Sequence, residues 1–99
     1  MEIVWCHSAD RDLALIYGYL QSQSMRAARR FIRRIFDAVD LLTEMPRMGK
    51  ISNLELERPY RELIVDHFKL FYAVEHDRIV IARVWDTRQD PAKFFIPEH

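Results

Sequence analysis

An α+β fold is predicted: an N-terminal strand, an antiparallel helix hairpin, then a three-stranded antiparallel meander, with the helices packed on one face of the sheet. Three observations predict it. A short apolar run opens the chain, two stretches with apolar residues at helical spacing follow, and three runs of strand-forming residues with short connectors come last.

Glu2 to Cys6 reads as the first strand. Ser8 is placed to cap a helix, because its hydroxyl can satisfy a free backbone N–H, and Asp10 and Asp12 suit the positive helix start. Leu13, Ile16, Tyr17 and Leu20 recur on one helical face, so helix one is expected from Ala9 to Gln21. Ser22-Gln23-Ser24 offers a break and a second cap. Ala28, Ile32, Ile35, Val39 and Leu42 then repeat the stripe, with Phe31, Ala38 and Leu41 beside it. Pro46 ends that helix, since it lacks an N–H and restricts Met45.

Met45 to Pro59 has no periodicity and reads as a long loop, a length usually reserved for function or motion. Tyr60 to Val65, Phe68 to Glu75 and Arg78 to Trp85 are the predicted meander, with His76-Asp77 as a hairpin tip. Alternation puts Phe68, Leu70, Tyr72 and Val74 on one face of the middle strand and Lys69, Phe71 and Ala73 on the other. In the last strand it separates Val80, Ala82 and Val84 from Ile79, Ile81, Arg83 and Trp85. A face left open by the helices is expected to carry Lys69, Arg83 and Arg61. Phe94, Phe95 and Ile96 fit core packing better than a sticky edge for a partner.

The 99 residues are read as one domain, 1–99, burying about two thirds of the unfolded surface. No apolar run approaches the ~20 residues that a bilayer requires. No charged start with an apolar segment and small-residue cleavage site precedes Leu20, so a cytoplasmic location is expected. The lone Cys6 sits in an apolar run and reads as inert packing.

Two glycines, Gly18 and Gly49, cannot build a phosphate-binding loop, and His7, His67, His76 and His99 lack metal-ligand spacing. No cofactor, metal or small-molecule partner is expected. Ser8 and Ser24 read as caps, not nucleophiles, and His67 as a turn residue.

Fifteen basic residues balance 15 acids, yet Arg26, Arg29, Arg30, Arg33 and Arg34 crowd one stretch with no acid among them. That row suits either a polyanion or acidic partner, or a solvated face whose stems cover apolar surface; composition favours the latter. Arg61, Lys69 and Arg88 lie in or just after strands of one meander. They could converge on phosphate, or pair locally: Arg61 with Glu62 or Asp66, Arg88 with Asp86 or Asp90.

The opening strand with Trp5, Asp12-Leu13, Ile16-Tyr17, Ala27-Ala28 with Phe31 and Ile35, Leu42, Pro46 and Gly49 come in an order that resembles the RelE/ParE toxins of type II toxin-antitoxin modules. The likeness continues through Arg61-Glu62-Leu63-Ile64-Val65, Phe71-Tyr72, Val84-Trp85 and Arg88-Gln89-Asp90-Pro91. It implies a small toxin of this architecture, neutralised by a cognate antitoxin whose extended segment wraps it.

One branch of that family cleaves mRNA in the ribosome with basic residues and a tyrosine near the C-terminus. Arg61, Lys69 and Arg88 fall at or near its basic positions, but Leu63 stands where it has a second lysine and Phe94 where its tyrosine belongs. Phenylalanine has no proton to give. A binding surface of Arg61, Lys69, Arg83, Trp85 and Arg88 therefore fits better than a catalytic centre. The wording of the third and last strands is closer to the ParE branch, whose members poison DNA gyrase. The alternatives are a ribosome-dependent endoribonuclease using Arg61, Lys69 and Arg88, and a nontoxic interaction domain on the same scaffold. Under either toxin reading, Arg26, Arg30 and Arg33 are expected to meet the antitoxin.

Overall fold

The computed structural model describes residues 1–54, 56 and 58–97. In chain order these form β1 (Glu2–Trp5), α1 (His7–Gln23), α2 (Met25–Glu44), β2 (Lys50–Ile51), β3 (Arg61–Val65), β4 (Phe68–Glu75), β5 (Arg78–Asp86) and a 3₁₀ turn at Pro91–Lys93. The predicted α+β order holds, with one strand added. Lys50 and Ile51 of the expected loop pair with Glu62 and Arg61, giving a sheet of order β1-β5-β4-β3-β2. β1 runs parallel to β5, and every other pairing is antiparallel.

Both helix stripes pack on one face of this sheet. Phe31, Ile35, Val39 and Leu42 of α2 meet Val65, Phe68, Leu70, Tyr72, Ile79, Ile81 and Val84 in one buried cluster, with Leu13, Ile16 and Leu20 of α1 at its margin. Trp5 joins β1 to α2 through the Phe36 ring, 5.4 Å between centroids. The helix break is shorter than expected. α1 continues to Gln23, and Ser24 both closes it and caps α2, accepting from the Ala27 amide at 3.2 Å.

Two expectations are corrected. Ser8 is not the cap of α1, which begins at His7 behind Cys6; its hydroxyl instead donates to the Ala82 carbonyl at 2.7 Å. Strict alternation also fails in β5. Phe71 pairs with Arg83 and Tyr72 with Ile81, leaving Ala82 as an extra residue, a β-bulge. The bulge resets the phase, so Val84 joins Ile79 and Ile81 beneath the helices while Ala82 turns to the other face.

Side chains of α1 hold that bulge. β1 ends at Trp5 opposite Ile81, so among the described residues the edge of β5 beyond it has no strand neighbour on that side. The first turns of α1 take over: Cys6 donates its amide to Ile81, Ser8 binds the Ala82 carbonyl, and the Asp12 carboxylate accepts the Val84 N–H at 2.9 Å. Ser8 and Asp12 stand one helical turn apart, which puts both on the same side of α1.

The second face is not left open. Phe71, Ala73, Ala82 and Tyr60 are buried there beneath Ile96, with Leu56, Trp85 and Phe94 packed around them. The tail thus supplies a second, smaller core, as its apolar composition suggested.

Candidate functional site

The cations expected to share an open face are separated, and each has a partner of its own. Arg61 stands opposite Tyr72 in register and donates to the backbone carbonyls of Gly49 at 2.8 Å and Arg47 at 3.3 Å, bracing the loop after α2. Lys69, on the covered face, pairs at 3.1 Å with Glu62, whose side chain is only 7% exposed. Arg88 lies beyond β5 and grips Asp86 through two nitrogens, at 3.1 and 2.9 Å. Of the pairings weighed from sequence, Arg88 with Asp86 forms, whereas Arg61 takes carbonyl partners.

Arg83 is a clamp. Its Nε and Nη2 reach the two oxygens of Asp12 at 2.7 and 3.1 Å, its Nη1 donates to the Phe95 carbonyl, and its guanidinium lies 5.4–5.5 Å from the ring centroids of Trp85, Phe94 and Phe95. One side chain thereby ties α1, the bulge and the tail together. Sequence reasoning missed the Asp12 partner, although the Ser8 and Asp12 spacing was the available signal.

Beside the clamp, Phe94 packs on Phe71 at 4.4 Å and edge-on to Trp85 at 5.1 Å. These rings wall a cavity of about 270 Å³ whose floor is the Glu62–Lys69 pair. Burial works to raise the Glu62 pKa, but hydrogen bonds from Ser52 and Lys69 and the charge of Lys69 outweigh it and hold the carboxyl below its ordinary value. Phe94 contributes an apolar wall and no exchangeable proton. Burial pushes the Cys6 thiol up, consistent with its reading as packing. His67 occupies the β3–β4 turn, where Nε2 is buried without a partner among the described residues and the ring lies against Phe68.

The depressed carboxylates carry a pH prediction. Asp86, bonded by Arg88, and Glu75, bonded by Arg78, are also held low. A group depressed in the folded state stabilises above its ordinary value and loses that contribution as pH falls through the folded one. The Tm should therefore be level above about pH 5 and fall in more acidic buffer. Glu62→Gln should cost about 1–3 kcal/mol at pH 7 and flatten the acid limb. A thermal melt series with the same acid limb in both proteins would remove Glu62 as its source.

A second cavity, about 310 Å³, opens where β5 exits past α1. Leu15 and Tyr19 line it at 66% and 64% exposure, together with Leu20, Phe68, Gln89 and Arg88, whose side chain is 63% exposed. Leu15 and Tyr19 lie four residues apart on the outer side of α1, off the stripe that pattern reading follows inward.

The four remaining arginines of the basic row, Arg26, Arg29, Arg30 and Arg33, stand exposed along α2. Among the described residues none enters an ion pair, whereas Arg34 reaches Asp66 at 2.9 and 3.2 Å and pins α2 to the β3–β4 turn. No group of described residues is arranged to hold a metal ion, and no described helix is long and apolar enough to cross a membrane.

Two helices on one face of a five-stranded sheet, with an arginine-bearing exit from the last strand, make up a small α+β scaffold. The chain matches the family model for the ParE toxin of the type II toxin-antitoxin system parDE over residues 3–91, and it belongs to that family. It is similar to the toxin RelE2 of Caulobacter vibrioides, 32% identical over 84 residues that span 84% of this chain and 91% of that protein. Among solved structures it resembles one of the chromosomal ParDE system of P. aeruginosa, with TM-score 0.74 at 22% identity, covering 89% of this chain and 97% of that one. A copper-bound mutant toxin from Helicobacter pylori superimposes less well, with TM-score 0.57 at 15% identity over 96% and 99% of the two chains. The chain is thus a type II toxin, and a cognate antitoxin is its partner.

Proposed function

We propose that this toxin acts in the cytoplasm by binding DNA gyrase and arresting it, through protein contact rather than catalysis. The carrying observation is the exposed cluster of Leu15, Tyr19 and Arg88 at the β5 exit. Tyrosine and arginine are among the residue types enriched in interface hot spots, and Leu15 adds exposed apolar surface beside them. The position of the missing tyrosine is filled by Phe94 inside an aromatic stack, while Lys69 and Arg88 are held by carboxylates and Arg61 by carbonyls. Such groups suit docking better than proton transfer.

In a plasmid supercoiling assay the purified toxin should inhibit gyrase. Tyr19→Ala and Arg88→Glu should each raise the concentration needed by about tenfold or more. Gyrase unaffected at large excess would defeat the proposal.

The likeness to a protein named RelE2 supports a second reading, a ribosome-dependent endoribonuclease using Arg61, Lys69 and Arg88. Under the gyrase reading, messages stay intact in a translating extract with both the unaltered toxin and Phe94→Tyr. Codon-positioned cuts would transfer the proposal to the nuclease.

A further inference from the structure

The outer face of α2 carries a charge order that works against its own helix. Arg26, Arg29, Arg30 and Arg33 occupy the first half and Asp37, Asp40 and Glu44 the second, all exposed. The first turn holds no acid and the last turn no base. Helix dipoles favour the reverse order, and Arg26 with Arg30 and Arg29 with Arg33 add like-charge neighbours four residues apart. Among the described residues none of these seven groups enters an ion pair.

The order is, however, complementary to itself when reversed. Positions 26 and 44, 30 and 40, and 33 and 37 each pair a base with an acid, and all three share one midpoint, Ile35. A second α2 laid antiparallel across the first, with a twofold axis level with Ile35, brings Arg26 level with Glu44 of the second copy, Arg30 with Asp40 and Arg33 with Asp37. The twofold repeats all three contacts over about 27 Å of helix. Arginine is long enough to reach across an interhelical gap, and its stems, with the exposed Leu41 and Phe36 flanking the stripe, add apolar cover. An acidic antitoxin segment would match only the first half of the stripe.

We propose that this face of α2 binds a second copy of the same chain, α2 against α2 in antiparallel register, and that the free toxin forms a charge-paired homodimer. Exposed ion pairs are individually weak and screened by salt, so the association is reversible and strongest at low ionic strength.

Sedimentation velocity of the purified toxin over a concentration series, in low-salt buffer and again at about 0.5 M salt, tests this directly. The sedimentation coefficient should rise with concentration at low salt and stay at the monomer value at high salt. Arg30→Asp with Arg33→Asp should weaken self-association at least tenfold. Adding Asp37→Arg and Asp40→Arg to that variant keeps the net charge of the original and should restore it to within about threefold. Circular dichroism confirms folding of both, and the positions are exposed. A monomer at every concentration in low salt overturns the proposal, as does a fourfold variant that stays monomeric while folded. A double variant that sediments like the original but resists neutralisation by antitoxin also overturns it, and assigns the stripe to the antitoxin. Gyrase inhibition enters none of these readouts.

Discussion

Asp12→Ala is expected to lower the unfolding free energy by about 3–5 kcal/mol, a drop in Tm of about 12 °C or more. Asp12 and Arg83 are 13% and 11% exposed, so solvent screens the pair little. Removing the carboxylate leaves the Arg83 guanidinium without its counter-charge and the Val84 N–H of the bulge without an acceptor. Both are partly buried groups whose desolvation then goes unmatched. Asp12→Asn keeps an oxygen for one donor but not the charge, and should fall between Ala and the original. The loss should spread, because Arg83 also holds the Phe95 carbonyl and stacks near Phe94. Amide exchange in the tail should therefore quicken with the melting loss. Urea denaturation showing a deficit below about 1 kcal/mol for Asp12→Ala would mean that the clamp is ornamental.

Gly49→Ala is expected to cost about 2–3 kcal/mol. A Cβ at this buried position would lie 2.7 Å from the Glu62 carbonyl oxygen and 2.8 Å from the Tyr72 hydroxyl. The first contact is with β3 backbone and cannot be relieved by a rotamer change. The second disturbs a hydroxyl that accepts from the Gly49 amide at 2.9 Å and donates to Pro46 at 2.8 Å. Burial raises the Tyr72 pKa, which keeps the phenol protonated and able to donate. Tyr72→Phe removes both bonds without adding bulk and should cost about 1–3 kcal/mol. The two changes strike one contact, so the double variant should lose less than the sum of the singles. Strict additivity in denaturation midpoints, or a neutral Gly49→Ala, would dissociate Gly49 from the Tyr72 anchor.

The two anchors show where cations pictured from sequence on an open face find partners within the chain. Arg61 serves the Gly49 loop and Arg83 serves Asp12, so two of the five residues expected at a target surface are structural partners. Trp85 is packed against Phe94, and Lys69 is held by a buried carboxylate. Of that group, Arg88 keeps most of its surface, and it does so beside α1, next to Leu15 and Tyr19.

Periodicity by itself determined the order of elements, the inward stripe of α2, the cap at Ser24, the stop at Pro46 and the His76-Asp77 hairpin, because each depends on residues within a few positions of one another. Family membership was also legible, since it rests on ordered local motifs. Tertiary structure alone decided the Ala82 bulge, the pairing of Lys50-Ile51, the reach of Ser8 and Asp12 to β5, and the covering of the second face by Phe94 and Ile96. These join residues as many as 74 positions apart. A charge or an apolar side chain records in sequence that it needs a partner, but which partner it finds is set by the geometry of the folded chain.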